Sequence, residues 1–264
     1  MQTQPTKAVI ARQLSAKELT YYFFPRSYPN WAKIMFGAGA LMLFGGGLFL
    51  QQLPIIGSGL FIGLLGLLIQ WWINHSNPND EQYDAWVKRQ AKILYKRGLQ
   101  TLGITESQLS DHVMWIQSYV LPGTIDADEH ILDTVHIKPG KDGRYRCSIN
   151  VFTFIYPMTH SFAVFKSDIN AFDPSFHNDE DDIYPYRHII GATTSRTQET
   201  IFLGEREFPY QVEQFCLKLA NGETIPLSAT VRVKPSGSVA GVPTLALPDT
   251  NFSWTLNKLR AMLQ

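Results

Sequence analysis

The chain has 264 residues, room for one soluble domain of ordinary size beside a small membrane anchor, since single domains run to roughly 100–200 residues. Its 23 basic and 23 acidic residues cancel, so no overall field points to nucleic acid and any basic effect is local. Cys147 and Cys216 are the only cysteines, and their separation fits neither a disulfide framework nor a zinc site.

Residues 1–30 read as an N-terminal cytoplasmic or interfacial segment. They are mostly polar or aromatic and no small-residue cleavage pattern follows, which argues against a secretory signal peptide. From 34 to 79 there is no Asp, Glu, Lys or Arg, and Gln51, Gln52 and Pro54 divide the run in two. Each half approaches the roughly 20 residues that cross a bilayer core, and the apolar character goes all round where a soluble core hairpin would be one-sided. The expectation is a two-helix transmembrane hairpin over 31–74. Basic residues flank both ends and not the tip, so the positive-inside rule places both termini in the cytoplasm, as in a multi-pass protein of the inner (plasma) membrane. Tyr21, Tyr22, Tyr28 and Trp31 at the entrance and Trp71 and Trp72 at the exit read as interfacial anchors. Gly59 and Gly63 form a GxxxG pair suited to close helix packing, within the hairpin or with other chains.

Residues 79–110 read as a juxtamembrane helix and linker. Asn79 and Asp80 start the helix, Tyr83, Trp86, Val87, Gln90, Leu94 and Leu99 form its apolar stripe, and Gly98 or Gly103 ends it. Lys88, Lys92 and Lys96 recur four apart with Arg89 and Arg97 beside them, a basic face suited to anionic headgroups or simply to solvent.

Residues 111–264 change to short β-branched and aromatic runs split by turn signals. Strands are predicted over 113–121, 135–137, 144–156, 161–165, 186–193, 199–203, 213–219 and 224–233, with Asn221-Gly222 a two-residue hairpin turn. In the long run Tyr145, Cys147, Ile149, Val151, Thr153 and Ile155 share one side, and Phe152, Phe154 and Tyr156 the other. Thr250 or Asn251 caps a final helix in which Phe252, Leu256, Leu259 and Met262 recur at helical spacing and would cap a barrel. The fold class read from the chain is α+β: a transmembrane α-helical hairpin, then an antiparallel β-barrel or sandwich with a C-terminal helix.

That order, carried by Ser161-Phe162-Ala163-Val164-Phe165, by 184–192, by 214–222 and by Leu256-Asn257-Lys258-Leu259-Arg260, resembles the pleckstrin-homology-like domains of bacterial membrane proteins over about 144–264. The resemblance implies a binding module that takes up lipid headgroups or protein segments at the barrel rim. The loop Pro157-Met158-Thr159-His160 carries no Lys or Arg, unlike the matching loop of phosphoinositide-binding members, and this favours a protein partner.

His177, Asp179, Glu180, Asp181 and Asp182 are the densest set of candidate ligands, but they lack the spacing and glycine of a calcium loop and read as a solvated acidic loop. Asp126, Asp128, Glu129 and His130 read likewise. No GxSxG, P-loop, HExxH or CxxC occurs, and His188 reads as a strand-face residue. No cofactor, metal or catalytic residue is expected. The functional expectation is a non-catalytic membrane-anchored scaffold or assembly component, with a membrane-surface enzyme and a subunit of an oligomeric pore as alternatives. Its expected partners are the lipid bilayer and other membrane or cytoplasmic proteins, with a homo-oligomer possible and no nucleic acid.

Overall fold

The computed structural model describes residues 14–27, 29–45, 53–121, 135–175, 177–203, 206–232, 247 and 250–263. The chain divides into two compact units, Lys17–Tyr83 and a second made by Asp84–Gln264 with the residues before Lys17.

The first unit is helical. Helices α1 (Ala16–Phe23), α2 (Asn30–Gly45) and α3 (Leu53–Ser76) supply it. α2 and α3 pack as an antiparallel pair and touch where neither has a side chain. A Cβ on Gly39 would lie 2.8 Å from the amide nitrogen of Gly63 and 2.9 Å from the carbonyl oxygen of Gly59, so the backbones themselves are in contact. Tyr22 of α1 is fully buried, stacks on Tyr83 with ring centroids 4.4 Å apart and donates a hydrogen bond to Asp80 at 2.9 Å.

This unit corrects the expectation of a transmembrane hairpin and, with it, of a multi-pass inner-membrane protein. Among the described residues no helix is long and apolar enough to cross a membrane. Within the described residues α2 runs for 16 residues, about 24 Å at 1.5 Å per residue, against about 30 Å of hydrocarbon.

The second unit takes most of α4 (Asp80–Thr101). Asn79 and Gln82 cap the start reciprocally: the Gln82 amide donates to Asn79 Oδ1 at 2.8 Å, and the Asn79 amide donates to Gln82 Oε1 at 2.9 Å, which satisfies two otherwise orphaned donors. At the other end Gly103 has φ +64. The Ile104 amide reaches the Leu99 carbonyl at 2.9 Å and the Gly103 amide that of Gln100 at 3.1 Å, the paired bonds that close a helix through a left-handed residue.

Strands β1 (Met114–Tyr119), β4 (Ile149–Pro157), β5 (Ser161–Asn170) and β6 (Glu180–Pro185) form one antiparallel sheet in the order β1-β4-β5-β6. Between β1 and β4 lies the small hairpin of β2 (Ile137–Pro139) and β3 (Tyr145–Cys147). The run predicted as one strand over 144–156 is thus two, broken at Ser148. That residue exchanges hydrogen bonds with the backbone of His136, 2.8 Å each way, while its carbonyl accepts from Ala171 at 2.9 Å. A second antiparallel sheet holds β7 (Ile189–Leu203), β8 (Arg206–Leu219) and β9 (Thr224–Arg232) in that order. The β8–β9 turn is a three-residue loop rather than the predicted two-residue one: Gly222 alone takes positive φ, +89, and the Leu219 amide bonds the Glu223 carbonyl at 2.9 Å.

The barrel expectation is corrected as well, because the two sheets stay open. The tight turn Tyr186–His188 passes the chain from β6 to β7, and the strands on either side of it pair into different sheets. Helix α5 (Phe252–Met262) fills the space between them. Phe252, Leu256 and Leu259 join Met114, Ile116, Ile155, Phe162, Phe215 and Leu217 in one core, against which Met262 packs. Phe252 and Leu259 bury almost their whole side chains, each worth roughly 1.5–3 kcal/mol. Asn251 and Thr255 both donate to the Trp115 carbonyl, at 3.1 and 2.9 Å, which ties α5 to β1.

The outer face of the four-stranded sheet is covered by α4. Tyr95 lies beside Phe154 and Tyr156, with ring centroids 6.2 and 5.9 Å apart, and its carbonyl accepts from Tyr156 Oη at 2.9 Å. A Cβ on Gly98 would fall 2.7 Å from the ring of the fully buried Phe165. Gly98 therefore continues the helix and permits its close approach to the sheet, and Gly103 ends it.

Candidate functional site

The α4 stripe and the basic face sit back to back. Trp86, Val87, Leu94 and Leu99 are buried, and Lys88, Arg89, Lys92 and Lys96 are exposed. Arg97 differs from them: it makes a 2.7 Å ion pair with Asp179, whose carboxylate also accepts from Ser167 Oγ at 2.7 Å. In the helical unit Trp31, Trp71 and Trp72 are more than half exposed. Tyr22 is buried, and Tyr21 lies under the Arg26 guanidinium, 3.9 Å from the ring centroid. Tyr28 lies outside the described residues. Gly59 meets the backbone of Gly39 and Leu43, whereas nothing stands within 4 Å of a Cβ built on Gly63. Gly39 is thus the partner that reading a GxxxG motif missed.

The acidic run is strand more than loop. Glu180, Asp181 and Asp182 lie on β6 at the edge of its sheet, with Glu180 paired to Lys166 at 2.9 Å, and charges on an edge resist pairing with other chains. Among the described residues no group of three or more His, Cys, Asp or Glu is placed to hold a metal ion. Asp126, Asp128, Glu129 and His130 lie outside those residues. His188 is exposed in the turn before β7. Both cysteines are buried, and burial pushes the Cys147 thiol up to about 12, which leaves it protonated and unreactive.

Sequence reasoning also missed Arg146, which is almost completely buried and forks two carboxylates. It donates to Asp84 of α4 from Nε and Nη2 at 3.1 and 2.8 Å, and to Asp142 from Nη1 and Nη2 at 2.5 and 3.0 Å. The Arg146 guanidinium holds the Asp142 carboxyl down at about 2. This clamp joins α4 to the β2–β3 hairpin.

Two concave sites stand out among the described residues. A shallow cleft of about 510 Å³ is lined by Tyr95, Glu106, Asp111 and His112 among others. Burial, then the Glu106 carboxylate, push the Tyr95 phenol above its ordinary value, and Asp111 is tied to Lys258 at 3.0 Å. A groove of about 220 Å³ lies between the β7–β8 hairpin and α5, lined by Thr194, Arg196, Glu213, Phe252, Leu256 and Arg260 among others. In the pairing register Thr194 faces Phe215 and Arg196 faces Glu213. The hairpin face thus passes from core to charge as it leaves the sandwich. Arg196 Nε bonds the Glu213 carboxylate at 2.8 Å, and Glu213 is buried while Arg196 is exposed. Among the described residues β7 pairs only with β8, so its other edge is open beside this groove.

Comparisons with family models, with curated proteins and with solved structures give no significant match for this chain.

Proposed function

We propose that this protein is a non-catalytic scaffold or assembly component whose β-rich unit takes up an extended segment of a protein partner along the open edge of β7. The observation that carries this is the edge itself. β7 is a 15-residue strand whose backbone donors and acceptors on one side have no strand partner among the described residues, and such an edge is a template for strand addition. The groove against α5 would receive alternate side chains of the added strand, as the pleat requires.

Two further features support a binding module. A four-stranded and a three-stranded antiparallel sheet followed by a terminal helix, with the β2–β3 hairpin inserted after β1, are compatible with the pleckstrin-homology-like resemblance, and the loop at 157–160 lacks the basic residues that would serve a lipid headgroup.

The test begins with selection of binders from a phage-displayed random peptide library on the full chain, followed by a scan of N-methylated versions of a selected peptide. Strand addition predicts that methylation weakens binding at every second position, and that a set of β7 amides slows its hydrogen exchange when the peptide is bound. Failure to select any peptide, or an N-methyl scan without alternation, would overturn the reading. Partition of the chain into lipid vesicles with β7 exchange unchanged by peptide would also count against it.

A further inference from the structure

We infer that the groove beside β7 reads an acidic side chain of the bound segment through Arg260 of α5 and Arg196 of β7. This rests on the strand-addition reading and names the chemistry of its ligand.

The lining has two guanidinium groups, Arg196 and Arg260, against one carboxylate, Glu213. That carboxylate is not on offer to a ligand. Its side chain is 5% exposed and already holds Arg196 through Nε at 2.8 Å, while the Arg196 side chain is 61% exposed. The geometry sorts the two charges by depth, with the acid beneath and the base presented outward. A guanidinium gripped at Nε keeps its terminal nitrogens for a second acceptor and is held in place to receive it. Arg260, exposed in the last turn of α5, supplies the second cation from the opposite wall. The other polar residues that line the groove, Thr194, Ser253 and Asn257, carry hydroxyls and an amide that can donate to an anion.

A basic ligand side chain would meet two like charges and would have to displace Arg196 to reach Glu213. An acidic one meets a surplus of donors without moving anything. An extended segment directs every second side chain to the same face, so a single Asp or Glu at the right register suffices. Charge therefore favours a protein segment bearing an acidic residue at the register of the groove.

The probes are the selected peptide, its Asp/Glu→Asn/Gln version, its Asp/Glu→Lys version and a C-terminally amidated version, each titrated against the full chain. The acidic peptide should outbind its amide analogue by roughly tenfold or more, as expected for a charge-assisted hydrogen bond, and added salt should narrow the gap. Arg260→Glu should reverse the order, so that the Lys peptide binds better than the acidic one. Arg260 is exposed, so this variant keeps its fold, and an unchanged melting curve checks that. Arg196→Lys is the milder second variant, since removing the charge altogether would strand the buried Glu213. Capping the peptide carboxyl should leave affinity unaltered. A large loss on capping would assign the charge to a chain end and overturn the side-chain assignment. Equal affinity of acidic and amide peptides, with the alternating N-methyl pattern intact, would sink this inference and leave strand addition standing. Loss of that pattern would remove both.

Discussion

The helical unit and the β-rich unit solve close packing in the same way and distribute their apolar side chains in opposite ways. At Gly39 two helix backbones meet, and at Gly98 a helix backbone meets aromatic rings on a sheet. In the β-rich unit the large apolar residues then turn inward, as with Phe162, Phe165, Phe215 and Phe252. In the helical unit Phe61, Leu64, Leu68, Trp71 and Trp72 point outward and are at least half exposed. The β-rich unit has a core between its sheets, and among the described residues each sheet keeps an edge strand, β6 in one and β7 in the other. The stability of the β-rich unit thus resides in its core.

The largest expected effect comes from taking away the helix that closes the sandwich. Deleting residues 250–264 removes Phe252, Leu256 and Leu259 from the core. At roughly 1.5–3 kcal/mol for each buried side chain, against a total stability of about 5–15 kcal/mol, the β-rich unit should lose its cooperative transition. Near-UV circular dichroism of the full chain during melting would show it. An unchanged transition would mean that α5 is dispensable to the core.

Smaller and more discriminating are the glycines. Alanine at Gly98 forces a methyl group into the Phe165 ring, and at Gly39 into the backbone of α3, so each should cost about 1–3 kcal/mol. Gly37 has nothing within 4 Å of its Cβ position, and alanine there should instead gain roughly 0.5–1 kcal/mol from helix propensity. Melting of the three variants would expose the contrast, and equal effects at 37 and 39 would refute the backbone contact between α2 and α3.

The smallest effect concerns acid. Asp142 is held at about 2, first by its hydrogen bond to Arg146. A carboxylate with a depressed folded value contributes stability that is fully present above its unfolded value, about 4. That contribution is lost as the pH falls from there towards 2. Asp142→Asn should flatten that part of the stability profile by lowering stability above pH 4 towards its acid value, and only slightly, because Asp142 is well exposed and its ion pair is screened by solvent. A parent and variant that lose stability in parallel between pH 4 and 2 would assign the acid limb to other groups.

Much of the local structure was legible in the residues. The spacing of Trp86, Val87, Leu94 and Leu99 gave the buried face of α4, and the alternation around Phe152, Phe154 and Tyr156 gave the two faces of β4, because both periods follow from backbone geometry. β6 was missed because Glu180, Asp181 and Asp182 look like a solvated loop, yet an edge strand tolerates charges that a central strand would not. The single strand β7 was read as two short ones because its exposed middle, from Ser195 to Gln198, has no apolar alternation to betray it. Of the candidate site, Arg260 was visible only as part of a terminal helix. Arg196 and Glu213 had no signal at all, since a pair 17 positions apart in the chain is made by strand register.

The sequence by itself determined where helices and turns begin and end: Asn79 with Gln82, Gly103 and Gly222 act through bonds between near neighbours. The tertiary structure decided what those elements meet. That includes the Arg146 clamp across 62 positions to Asp84, the contact of Gly39 with Gly59, the failure of the two sheets to close, and the open edge of β7. Each of these depends on which surfaces come together when the chain collapses, and burial rewards apolar area without specifying its partner. Local bonds are written in the order of the residues, whereas non-local ones are settled only by packing.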